Sequence, residues 1–295
     1  MLDWRCCGTP QVLFGGVASP QVTVVSATLM RAVTPPHVEE IVAVEVRLAS
    51  QSYKSFFPFG YARPREELLI PVAIDIRGAH GARWMTDVWV FNDSDETINL
   101  FPEVCSFIGL IIPCGQKMLV AGHGALQLPI AARRSADDPG IYLFPPSDVA
   151  GRLHFSIRVH NLAQPDDIGF EIPVARSTDF RKGRLDLVNV PVSDRFRSLI
   201  RIYDQMRSMA ANITVRAYDM STGILLAQRQ LALFLPTDTA LRGTLFLHDF
   251  LSAPELRGHG SVRIEIEEAD PNASLWALLT LTDNTNERVT VLTSQ

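Results

Sequence analysis

Four residues at alternate positions, His154, Ser156, Arg158 and His160, hold the most chemistry per unit length in this chain. On a β-strand alternate side chains stand on one face, so two imidazoles and a guanidinium would line up as an anion-binding row, with His154, Arg158 and His160 as its charged members. Neighbouring same-face positions lie roughly 7 Å apart, so metal chelation from this strand alone needs help from an adjacent one. The competing reading, and the commoner one, is a solvated outer face.

Other clusters carry less. Asp93, Asp95 and Glu96 supply hard oxygen ligands but lack the spaced carboxylates and closing Glu of a calcium loop, so a turn held by its own side chains is the simpler reading. Asp137-Asp138 and Asp166-Asp167 read as loops. Glu265 and Glu267 share a strand face, whereas glycoside hydrolysis needs two carboxyls across a cleft. A charged outer face is expected there. There is no nucleophile elbow, His-Glu-x-x-His, phosphate loop or dinucleotide fingerprint, so neither an enzyme nor a cofactor is expected. Cys105 and Cys114 bracket a mostly apolar segment, and a hairpin there would bring them near each other for a disulfide in an oxidising compartment. Reduced thiols are the alternative.

The aromatics fall into two groups. Trp84, Trp89, Phe91, Phe155 and Trp276 lie in strand-like runs and are expected in the core. Tyr53, Phe56, Phe57, Phe59 and Tyr61 crowd a segment containing Pro58 and Gly60, and form a sizeable apolar patch if exposed. That segment either packs over the first domain as an arm or docks on a partner or a second copy.

The elements that position these residues are strands. Trp84-Met85-Thr86-Asp87-Val88-Trp89-Val90-Phe91-Asn92 returns in degenerate form as Phe196-Arg197-Ser198-Leu199-Ile200-Arg201-Ile202-Tyr203-Asp204. Each copy runs from an aromatic through an apolar stretch into Asn or Asp, as a core strand entering a turn does. Ile70-Pro71-Val72-Ala73 is likewise echoed by Ile172-Pro173-Val174-Ala175. Leu153, Phe155, Ile157 and Val159 alternate with the polar row and face inward, as do Val262, Ile264 and Ile266 against the two glutamates. No long stretch has helical periodicity with caps. The expected fold is all-β: two tandem antiparallel β-sandwich, Ig-like domains over 67–169 and 170–295, preceded by an N-terminal arm of edge strands and linker over 1–66.

With 295 residues, 47% hydrophobic, the chain is long enough for two cores. A formal charge of −5, with Lys54 and Lys117 the only lysines before Lys182, argues against nucleic acid as a partner. No apolar run reaches the roughly 18 residues a transmembrane segment needs. Met1 to Cys7 has no basic lead before an apolar stretch, and the start reads as truncated, miscalled or processed.

The phrases Gly81 to Asn92, Arg158-Val159-His160-Asn161, Gly169 to Val174, Phe196-Arg197 and Asp283-Asn284-Thr285 resemble, in the same order, those of a group of uncharacterised secreted bacterial proteins with tandem β-sandwich domains. The resemblance covers roughly 68–295. It implies export and an immunoglobulin-like or adhesion-type architecture, and brings no catalytic or ligand-binding residues with it.

The first functional expectation is therefore a non-enzymatic, extracellular or cell-surface structural, adhesive or interaction module, with a protein partner or self-association. The alternative is a carbohydrate-binding or weakly carbohydrate-active protein, with a glycan as ligand; an exposed planar row of aromatics or a cleft with two facing carboxyls would favour it. A third reading is an intracellular chaperone-like sandwich, which reduced cysteines and a genuine start at Met1 would suggest.

Overall fold

The computed structural model describes residues 10–294 except 38–39, 49–50, 56–58, 62, 79–80, 102, 108–109, 115–117, 130–136, 138, 165–167, 206–209, 235–243 and 271. The chain forms two compact units, Met1–Pro64 and Arg65–Gln295, nearly all of antiparallel strands.

In the first unit β1 (Gln11–Phe14), β2 (Val17–Ala18), β6 (Val44–Leu48) and β7 (Gln51–Lys54) form one sheet, beside hairpin β3/β4 (Val22–Ser26, Leu29–Ala32) and pair β5/β8 (Glu40–Val42, Phe59–Tyr61). Gly15 and Gly16 join β1 to β2 with φ of 58° and 89°, the left-handed conformation a two-residue hairpin turn of this hand requires. Phe59 and Tyr61 pack on Phe14, with ring centroids 5.2 and 6.4 Å away, and His37 stacks on Tyr61 at 4.7 Å. The aromatic segment therefore supplies this unit's own small core around Val12, Phe14 and Val42 instead of forming an irregular arm. Tyr53 is half-buried on β7, and Phe56 and Phe57 lie outside the described residues.

The second unit opens with Arg65, whose Nη1 donates to Phe144 O at 2.7 Å, so the break falls after Pro64 and not after residue 66. Its first part comprises β9 (Leu68–Ile70), β10 (Asp75–Arg77), β11 (Arg83–Asn92), β12 (Ile98–Leu100), β13 (Glu103–Phe107), β14 (Leu110–Cys114), β15 (Met118–Val120), β16 (Ala125–Gln127), β17 (Ile141–Leu143), a short helix α1 (Ser147–Ala150), β18 (Leu153–Asn161), β19 (Phe170–Ile172) and β20 (Ala175–Arg176). One sheet runs β10-β11-β18-β19 with β16 also on β11, and another runs β17-β9-β20. The repeated phrase at 170–175 forms β19 and β20, which pair with β18 and β9 of the preceding part.

The remainder comprises β21 (Arg181–Lys182), β22 (Arg184–Pro191), β23 (Phe196–Asp204), β24 (Ala210–Asp219), β25 (Leu225–Phe234), β26 (Thr244–His248), β27 (Ser261–Glu268), β28 (Ser274–Asp283) and β29 (Val289–Thr293). Two sheets, β22-β27-β24-β25 and β21-β28-β23-β26 with β29 on β28, enclose a second core.

The two copies of the organising strand occupy equivalent places. Each runs beside one long partner over nine residue pairs, β11 with β18 and β23 with β28. In both, an Asx residue lies opposite the first aromatic: Asn161 faces Trp84 and Asp283 faces Phe196. Each Asx Oδ1 accepts the N–H two residues on, from Ala163 at 3.0 Å and Thr285 at 2.8 Å, closing the same side-chain turn.

The two cores share a wall. Along β28, Leu275, Ala277, Leu279 and Leu281 enter the second core, while Trp276 and Leu278 join the first core's cluster. Tyr203 on β23 does likewise. A strand buried on both faces needs apolar residues at successive positions, which explains the unbroken run Leu275 to Leu279.

Candidate functional site

The alternation of β11 decides which residues meet solvent. Thr86, Val88, Val90 and Asn92 point into the core, and Met85, Asp87, Trp89 and Phe91 take the other face. Trp89 is 46% exposed and Phe91 40% exposed, against 1% for Val88 and Val90. The expectation of a core position for both aromatics is corrected here. Period-two geometry buries one set only, and the Val set lies over the first core. Trp276 is buried, and Trp84 and Phe155 are partly buried against the same cluster.

Strand β18 brings the polar row to the same face. His154 and Arg158 are exposed, Ser156 and His160 half-buried, and Leu153, Ile157 and Val159 buried. The register sets Phe91 opposite His154, Trp89 opposite Ser156, Asp87 opposite Arg158 and Met85 opposite His160. On the other side of β11, Gln127 of β16 lies opposite Trp89, and beyond β18, Glu171 of β19 lies opposite Arg158. The histidine and arginine row thus borders an aromatic row.

Local contacts fix this face. The Phe91 and His154 rings stack with centroids 6.2 Å apart and planes 28° apart. Asp87 holds two neighbours: its Oδ2 lies 3.3 Å from His160 Nε2, and its Oδ1 accepts from Gln127 Nε2 at 3.3 Å. With carboxylates at Asp87 and Glu171 beside the cations, the charges are interspersed.

The other sequence candidates fall elsewhere. Asn92 Oδ1 accepts from Ser94 N at 3.0 Å and its Nδ2 donates to Glu96 O at 2.8 Å, tying the turn through the asparagine. Asp95 meets His123 at 2.9 Å and Asp93 meets Arg152 at 3.5 Å. Cys105 and Cys114 lie on β13 and β14 of one hairpin, opposite Ile112 and Glu103, two residues out of direct opposition.

Glu265 is not on a freely solvated face. It is 6% exposed and receives Arg216 at 3.0 Å, Arg184 at 3.2 Å and Arg263 at 3.3 Å. Burial pushes its carboxyl up, and the Arg216 bond with the charges of Arg184 and Arg263 outweighs that and holds it below the usual carboxylate range. Arg216 also binds Glu267. Three arginines keep Glu265 ionised, which suits a structural anchor and not a proton donor. The sequence signal lies in the alternate charged positions Arg184 and Asp186 of β22 and Arg263, Glu265 and Glu267 of β27, with Arg216 on β24, which only pairing brings together.

Neither a protein-family model nor a curated protein matches the chain. Among solved structures, a chain of Bacteroides ovatus mixed-linkage glucan utilization locus SGBP-B, in complex with a mixed-linkage heptasaccharide, aligns at 9% identity with a TM-score of 0.17. The alignment covers 97% of this chain and 66% of that one, so the present chain spans under two thirds of its length.

Proposed function

We propose that this protein is a non-catalytic, exported binding module that receives a saccharide on the outer face of β11 and β18. The observation that carries the reading is the pair Trp89 and Phe91, successive same-face residues of one strand, both exposed. A large aromatic left in water at a folded surface forgoes roughly 1.5–3 kcal/mol of burial, and a ligand's apolar face can recover part of it. The electron-rich ring face attracts the polarised C–H groups of a pyranose, while hydroxyls at the sugar edge need donors and acceptors close by. Asp87, Gln127, His154 and Arg158 supply them around the rings. The likeness of the repeat phrases to those of secreted bacterial proteins supports a site of action at or outside the cell surface.

The test is a panel of soluble neutral and acidic polysaccharides titrated into the full chain, read by calorimetry and tryptophan fluorescence. At least one should bind, and Trp89→Ala should weaken it about tenfold or more with an unchanged circular dichroism spectrum. Absence of binding across the panel, or binding indifferent to Trp89→Ala, would overturn the reading.

A further inference from the structure

We propose a second site, separate from the outer face: the cleft between the first sandwich and the β23/β28 sheet binds a neutral single-chain amphiphile, with its alkyl tail in an apolar cavity and its uncharged polar head in an adjoining recess. Tyr203, Trp276 and Leu278 close one end of the wall that the two cores share. Towards the other end the same faces of β23 and β28 carry Leu199 and Arg201, and Thr280 and Thr282, and the packing opens into a cavity of about 260 Å³. An apolar cavity of about 150 Å³ already takes up benzene, so this larger one has room for an alkyl chain of about eight carbons.

The two compartments differ in chemistry. Ile74, Ile76, Trp84, Val159, Phe170 and Ile172 line the cavity from the first sandwich. On the opposite side the cations are already held: Arg201 Nη1 lies 3.3 Å from Thr280 Oγ1, Arg197 binds Glu287 at 2.8 Å, and His248 binds Asp137 at 2.7 Å. Asp249, the acidic residue on the lining, is exposed. A charged group brought into this space would lose its water while its candidate partners are engaged or outside, which is costly. An alkyl chain asks for no hydrogen bond, so the tail and not the head belongs here.

The recess surrounds the head. It holds about 770 Å³, within the usual range of ligand sites, and shares Trp84, Phe170 and Val289 with the apolar cavity, which lets one molecule span both. Asn161, Gln164, Asn286 and Thr290 line it with amides and a hydroxyl, groups that both donate and accept. Asn161 Oδ1 and Asn286 Oδ1 are taken up by the N–H groups of Ala163 and Arg288, at 3.0 and 2.9 Å, whereas Gln164 and Thr290 are exposed. Glu287 and Arg288 are the charged residues on this lining, and their signs cancel. An uncharged head with several hydroxyls matches such a surface.

The experiment titrates octyl glucoside into the full chain by calorimetry, beside hexyl glucoside, octanol and glucose, all at concentrations too low for micelles. Octyl glucoside should bind at least about tenfold more tightly than octanol or glucose. It should also exceed hexyl glucoside by about tenfold, since each buried methylene is worth about fourfold. Octyl sulfate and octyltrimethylammonium, which keep the tail and charge the head, should both bind more weakly than octyl glucoside. Thr282→Phe fills the cavity from a half-buried position on β28 and should weaken octyl glucoside and octanol alike. The double variant Gln164→Ala, Thr290→Ala changes exposed positions only, and should bring octyl glucoside down towards octanol while leaving octanol unchanged. Trp89→Ala on the outer face should leave octyl glucoside binding unchanged, so the two sites are tested independently. Equal affinity for octyl glucoside and octanol, no binding of either, tighter binding of either charged amphiphile, binding that survives both cleft variants, or binding lost in Trp89→Ala would overturn the proposal.

Discussion

The hydroxyl of Tyr203 donates to the carbonyl oxygen of Pro71, 132 residues earlier in the chain, and both groups are buried. This bond joins the second organising strand to the segment opening the first sandwich. It explains why residues 65–295 behave as one compact unit although they contain two cores. The Tyr203 ring also lies 5.6 Å from that of Trp276, so one side chain contributes packing and a hydrogen bond to the shared wall.

Tyr203→Phe keeps the ring and removes the donor, leaving the Pro71 carbonyl without that partner in a buried site. The expected loss is about 1–3 kcal/mol in denaturant unfolding. The transition for 65–295 should move to lower denaturant while staying single. Two separated transitions in the parent protein would contradict the shared wall.

The phase of β11 is checked by two neighbours. Val88→Ala opens a cavity under the sheet and should cost about 2 kcal/mol, whereas Trp89→Ala removes an exposed ring and should stay within about 0.5 kcal/mol. Reversed magnitudes would mean the strand presents its other face.

Glu268 is 4% exposed, and neither carboxyl oxygen meets a hydrogen-bond partner among the described residues. Burial, with the charges of Asp204 and Asp270 added, pushes its carboxyl up to about 7. The folded protein therefore holds this proton more tightly than the unfolded chain, where Glu titrates near about 4.3. Its contribution is fully present below that value and lost as pH rises through about 7. Glu268→Gln should be close to the parent in stability at pH 4 and more stable at pH 8, by on the order of 2–3 kcal/mol. Parallel stability curves for the two proteins between those pH values would show that the group is not buried as a free acid.

Glu265 should behave in the opposite sense. Its folded carboxyl is held low, so the stabilisation is present above the unfolded value and fades as pH falls below it. Glu265→Ala leaves Arg216, Arg184 and Arg263 crowded without their common partner. It should cost about 1–3 kcal/mol at neutral pH, less than a fully buried pair because the arginines keep access to water. High salt should shrink the difference, and a difference insensitive to both salt and pH would leave packing as the explanation.

Part of this architecture follows from the sequence alone. Period-two patterning, turn residues at Asn92 to Asp95 and Asp283 to Asn286, and the echo of Trp84–Asn92 in Phe196–Asp204 are local properties of the chain, and they determine an all-β fold with an internal repeat. The inward set of β18 and of β27 is determined in the same way, since one face of each strand is uniformly apolar. Strand β11 carries apolar residues on both faces, so its pattern cannot select which face is buried. Only packing against the first core turned Val88 and Val90 in and left Trp89 and Phe91 out. The grouping of Arg184, Arg216 and Arg263 around Glu265 depends on the pairing of β22, β27 and β24, which lie far apart in sequence. The cleft beside Arg201 depends on how the first sandwich lies on the β23/β28 sheet, a relation between distant segments that no local pattern encodes. Physical chemistry along the chain sets what each strand is, and tertiary packing decides which face of it becomes a site.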